Sequence, residues 1–355
     1  MRAAVLNGGR ILVRDDLPEP VPGSGQVLVE VSSCGICGSD LHFARHGRSM
    51  LDLTRRLKGM PSLGQESELD LERDVYMGHE FTATVLEAGP DTSAPRPGTL
   101  VTSIPILVSA TGIEPIVYSN TVLGGYSERM LLSAPLPVAV PAGTDARHAA
   151  LTEPMAVGLH AVNRSGISPG SGAIVLGCGP IGLAVIAALE LKGAEPIVAS
   201  DLSPARRALA ERMGAHTVVD PAGQDPFDAW SQRGVSNPPV VFEAIGVPGI
   251  IDSVLEAAPP RTIVVVVGVC MERDALTPFF AISKELDVRF CLGYDPTEFT
   301  DSLRAIAAGD IDVRPMITGE VGIDGVGTAF QALSQPEQHC KILVTPGLPA
   351  RTGDL

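Results

Sequence analysis

Two short stretches of this chain hold residue types that coordinate metals. One is Cys34-Gly35-Ile36-Cys37-Gly38-Ser39-Asp40-Leu41-His42, and the other is Gly78-His79-Glu80. A thiolate, an imidazole and a carboxylate drawn from separate segments are the donor types of a catalytic Zn²⁺ site. Soft sulfur and borderline nitrogen select zinc over magnesium or calcium. Farther along, Gly177-Cys178-Gly179-Pro180-Ile181-Gly182 stands between an apolar strand-like run and an apolar helix-like run. That context is what a dinucleotide-binding turn requires. A metal that polarises oxygen, together with a nicotinamide that accepts hydride, would interconvert an alcohol and a carbonyl.

In the glycine turn, Gly177 allows the tight bend, Gly179 lets backbone approach a pyrophosphate, and Gly182 permits close helix–strand packing. Pro180 and Ile181 open the helix, whose free N–H groups and partial positive charge suit phosphate. Asp201 ends the next strand, 19 residues beyond Gly182 (201 − 182). A carboxylate there can bond both hydroxyls of an adenosine ribose and would repel a 2′-phosphate, so NAD is favoured over NADP. Arg206 and Arg207 lie close enough to keep NADP as the lesser option. Arg206, Gly246 and Gly268 complete the candidate cofactor contacts. The plainer alternative is an ordinary strand-to-helix turn, with Asp201 a capping acid.

The elements that must position these residues follow two rhythms. From Met1 to about Leu151, Ala3–Leu6, Ile11–Val13, Val27–Val31, Glu80–Glu87 and Leu100–Ile104 read as strands punctuated by Gly and Pro. This predicts a barrel-like antiparallel domain. From about Thr152 strands alternate with helices: a helix at Pro154–Ser165, then Ala173–Leu176, Ile181–Leu191, Pro196–Ser200, Pro204–Met213 capped by Ser203, Thr217–Val219, Pro239–Glu243, Gly249–Ala258 and Thr262–Val267. Such alternation predicts a doubly wound parallel sheet, the Rossmann arrangement. A helix near Thr297–Ala308 and a last strand at Lys341–Val344 close the chain. The expected organisation is α/β, with a discontinuous catalytic domain, residues 1–152 and 296–355, around a nucleotide-binding domain, residues 153–295.

Cys34-x-x-Cys37 invites two other readings. A thioredoxin-like redox pair should open a helix beside a βαβ unit, whereas Val27–Val31 lies in β-domain sequence. Half of a four-cysteine structural zinc site would need a second Cys-x-x-Cys, and none exists. Only Cys37 needs to be a ligand, and Cys34 reads as a small buried residue.

With Gly35–His42, Gly78-His79-Glu80, Thr152-Glu153-Pro154, the glycine turn and Val241-Phe242-Glu243-Ala244-Ile245-Gly246 in this order, the chain resembles the zinc-dependent medium-chain dehydrogenases, near the sorbitol and threonine dehydrogenase branches. The resemblance spans nearly the whole chain. It implies a GroES-like β-barrel beside the Rossmann domain, NAD as cofactor, an alcohol substrate (a secondary alcohol, polyol or amino alcohol), and a homodimer or homotetramer. It also implies roles: Cys37 and His79 as zinc ligands, with Glu80 or Glu153 completing the shell and the other holding the metal-bound water. Asp40 would accept the second ring N–H of His79, Ser39 would bond the substrate hydroxyl, and His42 would carry its proton to solvent. The plainer alternatives are a surface histidine at 42 and a helix-start acid at Glu153.

Two departures from the family stand out. Relatives often carry four clustered cysteines that hold a structural zinc, but Thr99–Glu128 has no cysteine and is apolar instead. One zinc per subunit is therefore expected, with this lobe held by packing. His79 follows Cys37 by 42 residues (79 − 37), a longer interval than in relatives. The extra residues, about His46 to Asp74, read either as a solvated surface excursion or as a flap over the pocket entrance.

Bulk properties fit this picture. The 355 residues allow two cores. A formal charge of −15 argues against nucleic acid, which needs clustered Lys and Arg. Six irregularly spaced cysteines suggest free thiols, and with no signal segment or membrane span visible the expected compartment is the cytoplasm. Two competing readings remain at this stage: a zinc-free quinone or enone reductase on the same fold, and a non-catalytic NAD-binding module.

Overall fold

The β-rich runs of the first third become strands in a computed structural model, which describes residues 1–57, 69–109, 112–235 and 237–349. Gln26–Gly35 is the organising strand of a seven-stranded sheet. It pairs antiparallel with Glu80–Ala88, Arg129–Ser133 and Lys341–Val344. Leu100–Thr102 and Val138–Ala139 extend one side, and Ile317–Val321 lies parallel to Lys341–Val344 at the other edge. Val27, Val29, Phe81, Val85, Met130, Leu132 and Ile342 are buried between these strands and their cover. Each such side chain contributes about 1.5–3 kcal/mol through removal from water. Hairpins at Ala3–Asn7/Arg10–Arg14 and Ile106–Ser109/Gly112–Pro115 complete the strands. In the cysteine-free lobe, Leu107, Ile116, Tyr118 and Val122 join the same core.

A helix at Gly38–Arg56 was not legible in the sequence. Its non-helical residue is His46, where the axis kinks and the extra sequence begins. Beyond the kink Leu51 is buried, as is Leu69 on the returning segment, and Asn120 bonds the backbone of Asp70 and Asp74. The described parts of residues 46–74 are mostly exposed, a surface segment anchored by the buried Gly47, Leu51 and Leu69 and by the Asn120 hydrogen bonds. Lys58, Met60, Pro61, Gly64, Gln65, Glu66 and Glu68 lie outside the described residues.

The alternating second part forms a six-stranded, fully parallel sheet. Its order is Thr217–Val219, Ile197–Ser200, Ala173–Leu176, Val240–Glu243, Ile263–Val266 and Asp287–Phe290. Numbered by sequence within the sheet this is 3-2-1-4-5-6, the dinucleotide-binding order, with its switch point beside Ala173–Leu176. The helix Pro180–Leu191 follows the glycine turn, and Ser203 caps Pro204–Arg212 by accepting from Arg206 N–H at 3.1 Å.

The chain divides into Met1–Glu153 with Ile317–Gln335 and Lys341–Leu355, and Pro154–Met316 with Pro336–Cys340. Residues 296–316 thus belong to the nucleotide unit, not to the catalytic domain as expected. The reason lies in the helix Pro296–Ala308: Glu298 receives Asn163 Nδ2 at 2.7 Å and meets His160 Nδ1 at 2.8 Å, and Phe299 and Leu303 are buried. All six cysteines are free, and no helix among the described residues is long and apolar enough to cross a membrane.

Candidate metal centre and nucleotide cradle

Strand register builds the metal cluster. Gly35 lies opposite Glu80 in the antiparallel pair, so Cys37, two residues beyond, and His79, one residue before, come out at the same end. Cys37 sits at the N-cap of the helix Gly38–Arg56, where its N–H donates to Asp40 Oδ2 at 3.1 Å. Ligand atoms of Cys37, His79 and Glu80 all lie within 4.8 Å of one another. His79 Nδ1 and Asp40 Oδ1 are buried without hydrogen-bond partners, 3.6 Å apart. One thiol, one imidazole nitrogen and one carboxylate converging in this way fit zinc, with the other imidazole nitrogen turned to a carboxylate.

Charges around the cluster are unusual. Burial works against a charged His79, yet Asp40, Cys37 and Glu153 outweigh it and hold the imidazole well above its ordinary 6.5. Burial pushes the Glu153 carboxyl up to about 7, with His79 opposing and Glu80 adding to the rise. Glu153 stands outside the tight trio but near enough to feel its charges. Burial, with Glu80 and Asp40, raises the Cys34 thiol well above its usual value, so Cys34 is a buried neutral thiol, as expected from the sequence.

Two further groups were missed by sequence reasoning. Lys341, fully buried, donates from Nζ to both oxygens of Glu80 at 2.7 Å and to Ile36 O at 3.0 Å. Tyr126 donates its hydroxyl to Asp40 Oδ2 at 2.6 Å. Lys341 carried no signal beyond a charge at the head of an apolar strand, and Tyr126 carried only the Gly124-Gly125 pair before it.

Ser39 and His42 are three residues apart, hence on one face of the helix. No hydrogen bond among the described residues joins them. His42 is exposed, and partial burial, His46 and Arg45 keep it below 6.5.

In the second unit the candidate nucleotide residues Gly177, Asp201, Gly246 and Gly268 gather at the carboxyl ends of four neighbouring parallel strands. Gly177 has φ +91°, open only to glycine, and a Cβ on Gly182 would meet Gly177 O at 1.8 Å. At Gly179, the N-cap of the helix that begins with Pro180 and Ile181, a Cβ would meet nothing within 4 Å. That is the open space a phosphate needs. Asp201 accepts from Cys178 N–H and Ser203 N–H, both at 2.8 Å. Arg206 lies 4.0 Å from Asp201 with a buried, unpartnered Nε, whereas Arg207 donates to the carbonyls of Asp201 and Leu202. Glu243, also missed, holds the Gly246 loop by accepting from the N–H groups of Ile245 and Gly246 at 2.7 and 2.8 Å.

Comparison with known proteins gives the family and the fold relatives of the chain. Residues 23–142 match the alcohol dehydrogenase GroES-like domain and residues 180–308 match the zinc-binding dehydrogenase family. The chain is 31% identical to (R,R)-butanediol dehydrogenase of Bacillus subtilis over 98% of its own length and 100% of that protein's. It is 26% identical to sorbitol dehydrogenase of Bacillus subtilis, covering 98% and 97% of the two. The crystal structure of 2R,3R-butanediol dehydrogenase from Bacillus subtilis superimposes with a TM-score of 0.83 at 29% identity, over 98% of this chain and 99% of that one. A zinc-binding dehydrogenase structure from Sinorhizobium meliloti bound to NADP gives 0.80 at 29% identity, over 97% and 99%.

Proposed function

The chain belongs to the zinc-dependent medium-chain dehydrogenases of the alcohol dehydrogenase superfamily, and from that premise we propose that it oxidises a secondary alcohol, diol or polyol with NAD, or catalyses the reverse reduction. Amino alcohols belong to the same substrate class. Diols and polyols come first because the relatives named above act on butanediol and sorbitol. The carrying observation is the Cys37–His79–Glu80 cluster with its two unpartnered buried atoms, His79 Nδ1 and Asp40 Oδ1.

Cys37, His79 and Glu80 would hold one zinc, with Glu153 the second carboxylate beside the cluster. Bound there, zinc supplies Lewis acidity to the substrate oxygen while NAD accepts the hydride. Ser39 bonds the substrate hydroxyl and receives its proton. His42, held below 6.5 and so neutral at pH 7, takes that proton outward. The two side chains are not hydrogen-bonded to each other, so this relay requires a water or a hydroxyl of a bound molecule between them. Asp201, with Gly177, Gly179, Pro180, Ile181, Gly182, Gly246 and Gly268, cradles the dinucleotide. Its carboxylate disfavours a 2′-phosphate, and Arg206 is the residue through which NADP would gain a hold.

A second copy of the chain is the proposed partner. Phe279, Ile282, Phe290 and Leu292 are 62–79% exposed on and beside the edge strand Asp287–Phe290. An unpaired edge bearing large apolar side chains favours self-pairing. The reading is tested by a panel of alcohols, diols and polyols with NAD, run with and without a chelator. NADH formation abolished by the chelator is expected. Chelator-insensitive reduction of quinones or enones would replace it with a zinc-free reductase.

A further inference from the structure

Tyr126 has no part in the chemistry above, yet the chain goes to some length to place it. Gly125 N–H donates to Gly78 O at 2.7 Å and Tyr126 N–H to Met77 O at 3.3 Å, so this segment runs along the residues that lead into His79. A Cβ on Gly124 would meet Met77 O at 2.3 Å, and one on Gly125 would meet Cys34 Sγ at 2.4 Å. Only the glycine pair permits this approach. It brings a phenol that is 1% exposed onto Asp40.

The partition of the Asp40 carboxylate is the telling feature. Oδ2 accepts both from Tyr126 O–H at 2.6 Å and from Cys37 N–H at 3.1 Å. Oδ1 accepts from nothing and lies 3.6 Å from His79 Nδ1, itself unpartnered. A carboxylate with one oxygen doubly engaged cannot turn about its Cα–Cβ and Cβ–Cγ bonds without losing two hydrogen bonds. Its free oxygen is thereby aimed at the ring nitrogen that is not used for metal.

We propose that Tyr126 is a positioning residue of the metal centre, clamping Asp40 so that one carboxylate orients both Cys37, through its backbone, and His79, through Nδ1. The inference rests on Cys37 and His79 being zinc ligands. Phenylalanine would fill the same volume but leave Oδ2 with the Cys37 N–H alone, freeing the carboxylate to offer either oxygen to either partner. Groups that orient a metal ligand from behind commonly change metal affinity by 10–100-fold when lost, so a group one bond further out belongs at the lower end, about tenfold.

The experiment compares wild type, Y126F, D40N and Y126F/D40N. Three quantities are read: zinc affinity by chelator competition, the visible spectrum of the cobalt-substituted protein, and thermal unfolding without metal. The expected result is about tenfold weaker zinc binding and a shifted cobalt spectrum in Y126F, with no further loss when Y126F is added to D40N. Unchanged affinity and spectrum in Y126F would overturn the inference, as would a loss confined to metal-free unfolding. A loss that adds to that of D40N would also overturn it, since Tyr126 would then not act through Asp40. A wild-type protein that took up neither zinc nor cobalt would refute the metal reading itself and this inference with it. Normal loading of the wild type beside an indistinguishable Y126F refutes the inference alone.

Discussion

Replacing Lys341 by methionine should unfold the metal-free catalytic unit far more readily than any surface change. The Lys341 ammonium and the Glu80 carboxylate are both fully buried, joined by two 2.7 Å hydrogen bonds. Methionine keeps most of the side-chain volume, so packing changes little while the carboxylate is stranded. Breaking a buried pair from one side typically costs about 3–5 kcal/mol. The chain's single tryptophan, Trp230, lies in the other unit, so its fluorescence would miss the event. The measurement is therefore urea unfolding followed by far-UV circular dichroism, in chelator. With zinc restored, the loss should shrink, because the metal gives the Glu80 charge a new partner. The double variant E80M/K341M should recover most of the stability without metal, since replacing both partners with apolar side chains is often neutral. A loss below about 1 kcal/mol in K341M would refute the reasoning, being the scale of an exposed ion pair. A double variant as unstable as K341M would attribute the loss to lysine packing and not to the stranded charge.

Other outcomes follow from the same geometry. G182A places a Cβ against Gly177 O, and overpacking of this kind costs about 1–3 kcal/mol. NADH binding, measured by fluorescence titration, should weaken at least in proportion. D201S should shift the ratio of kcat/KM for NAD over NADP downward, read from initial rates with both cofactors. Glu298 should govern acid stability of the nucleotide unit. Burial raises its carboxyl, but Asn163, the Asp295 N–H and His160 outweigh it and hold the group below its ordinary 4.5. A depressed acid stabilises the fold above the unfolded value and loses that contribution as pH falls through the folded one. The stability of the nucleotide unit, read from urea unfolding followed by Trp230 fluorescence, should therefore fall with pH below 4.5 in the wild type and fall less steeply in E298Q. Equal slopes would discard that linkage.

Local signals in the sequence reached some features and not others. The glycine turn, Asp201 and the strand–helix alternation were readable because each depends on neighbours within about 20 residues along the chain. Cys37 and His79 were readable because their chemistry narrows the choices. Tyr126 and Lys341 were not, since their partners lie 86 and 261 positions away and no periodicity links them. The helix at Gly38–Arg56 was obscured by its opening Gly38 and Ser39 and by the break at His46, which divides its apolar stripe. The helix near residue 297 was anticipated, but not its unit. That choice turns on Glu298 meeting His160 and Asn163, a tertiary contact that composition does not reveal.

Metal content after purification and exhaustive dialysis, determined for wild type, C37A, H79A and C34A, tests the central claim most directly. One zinc per chain is predicted in wild type and in C34A, whose thiol is buried and neutral. Loss of that zinc is predicted in C37A and H79A. Two tightly held zincs, none at all, or a zinc lost with Cys34 and retained without Cys37 would contradict the account.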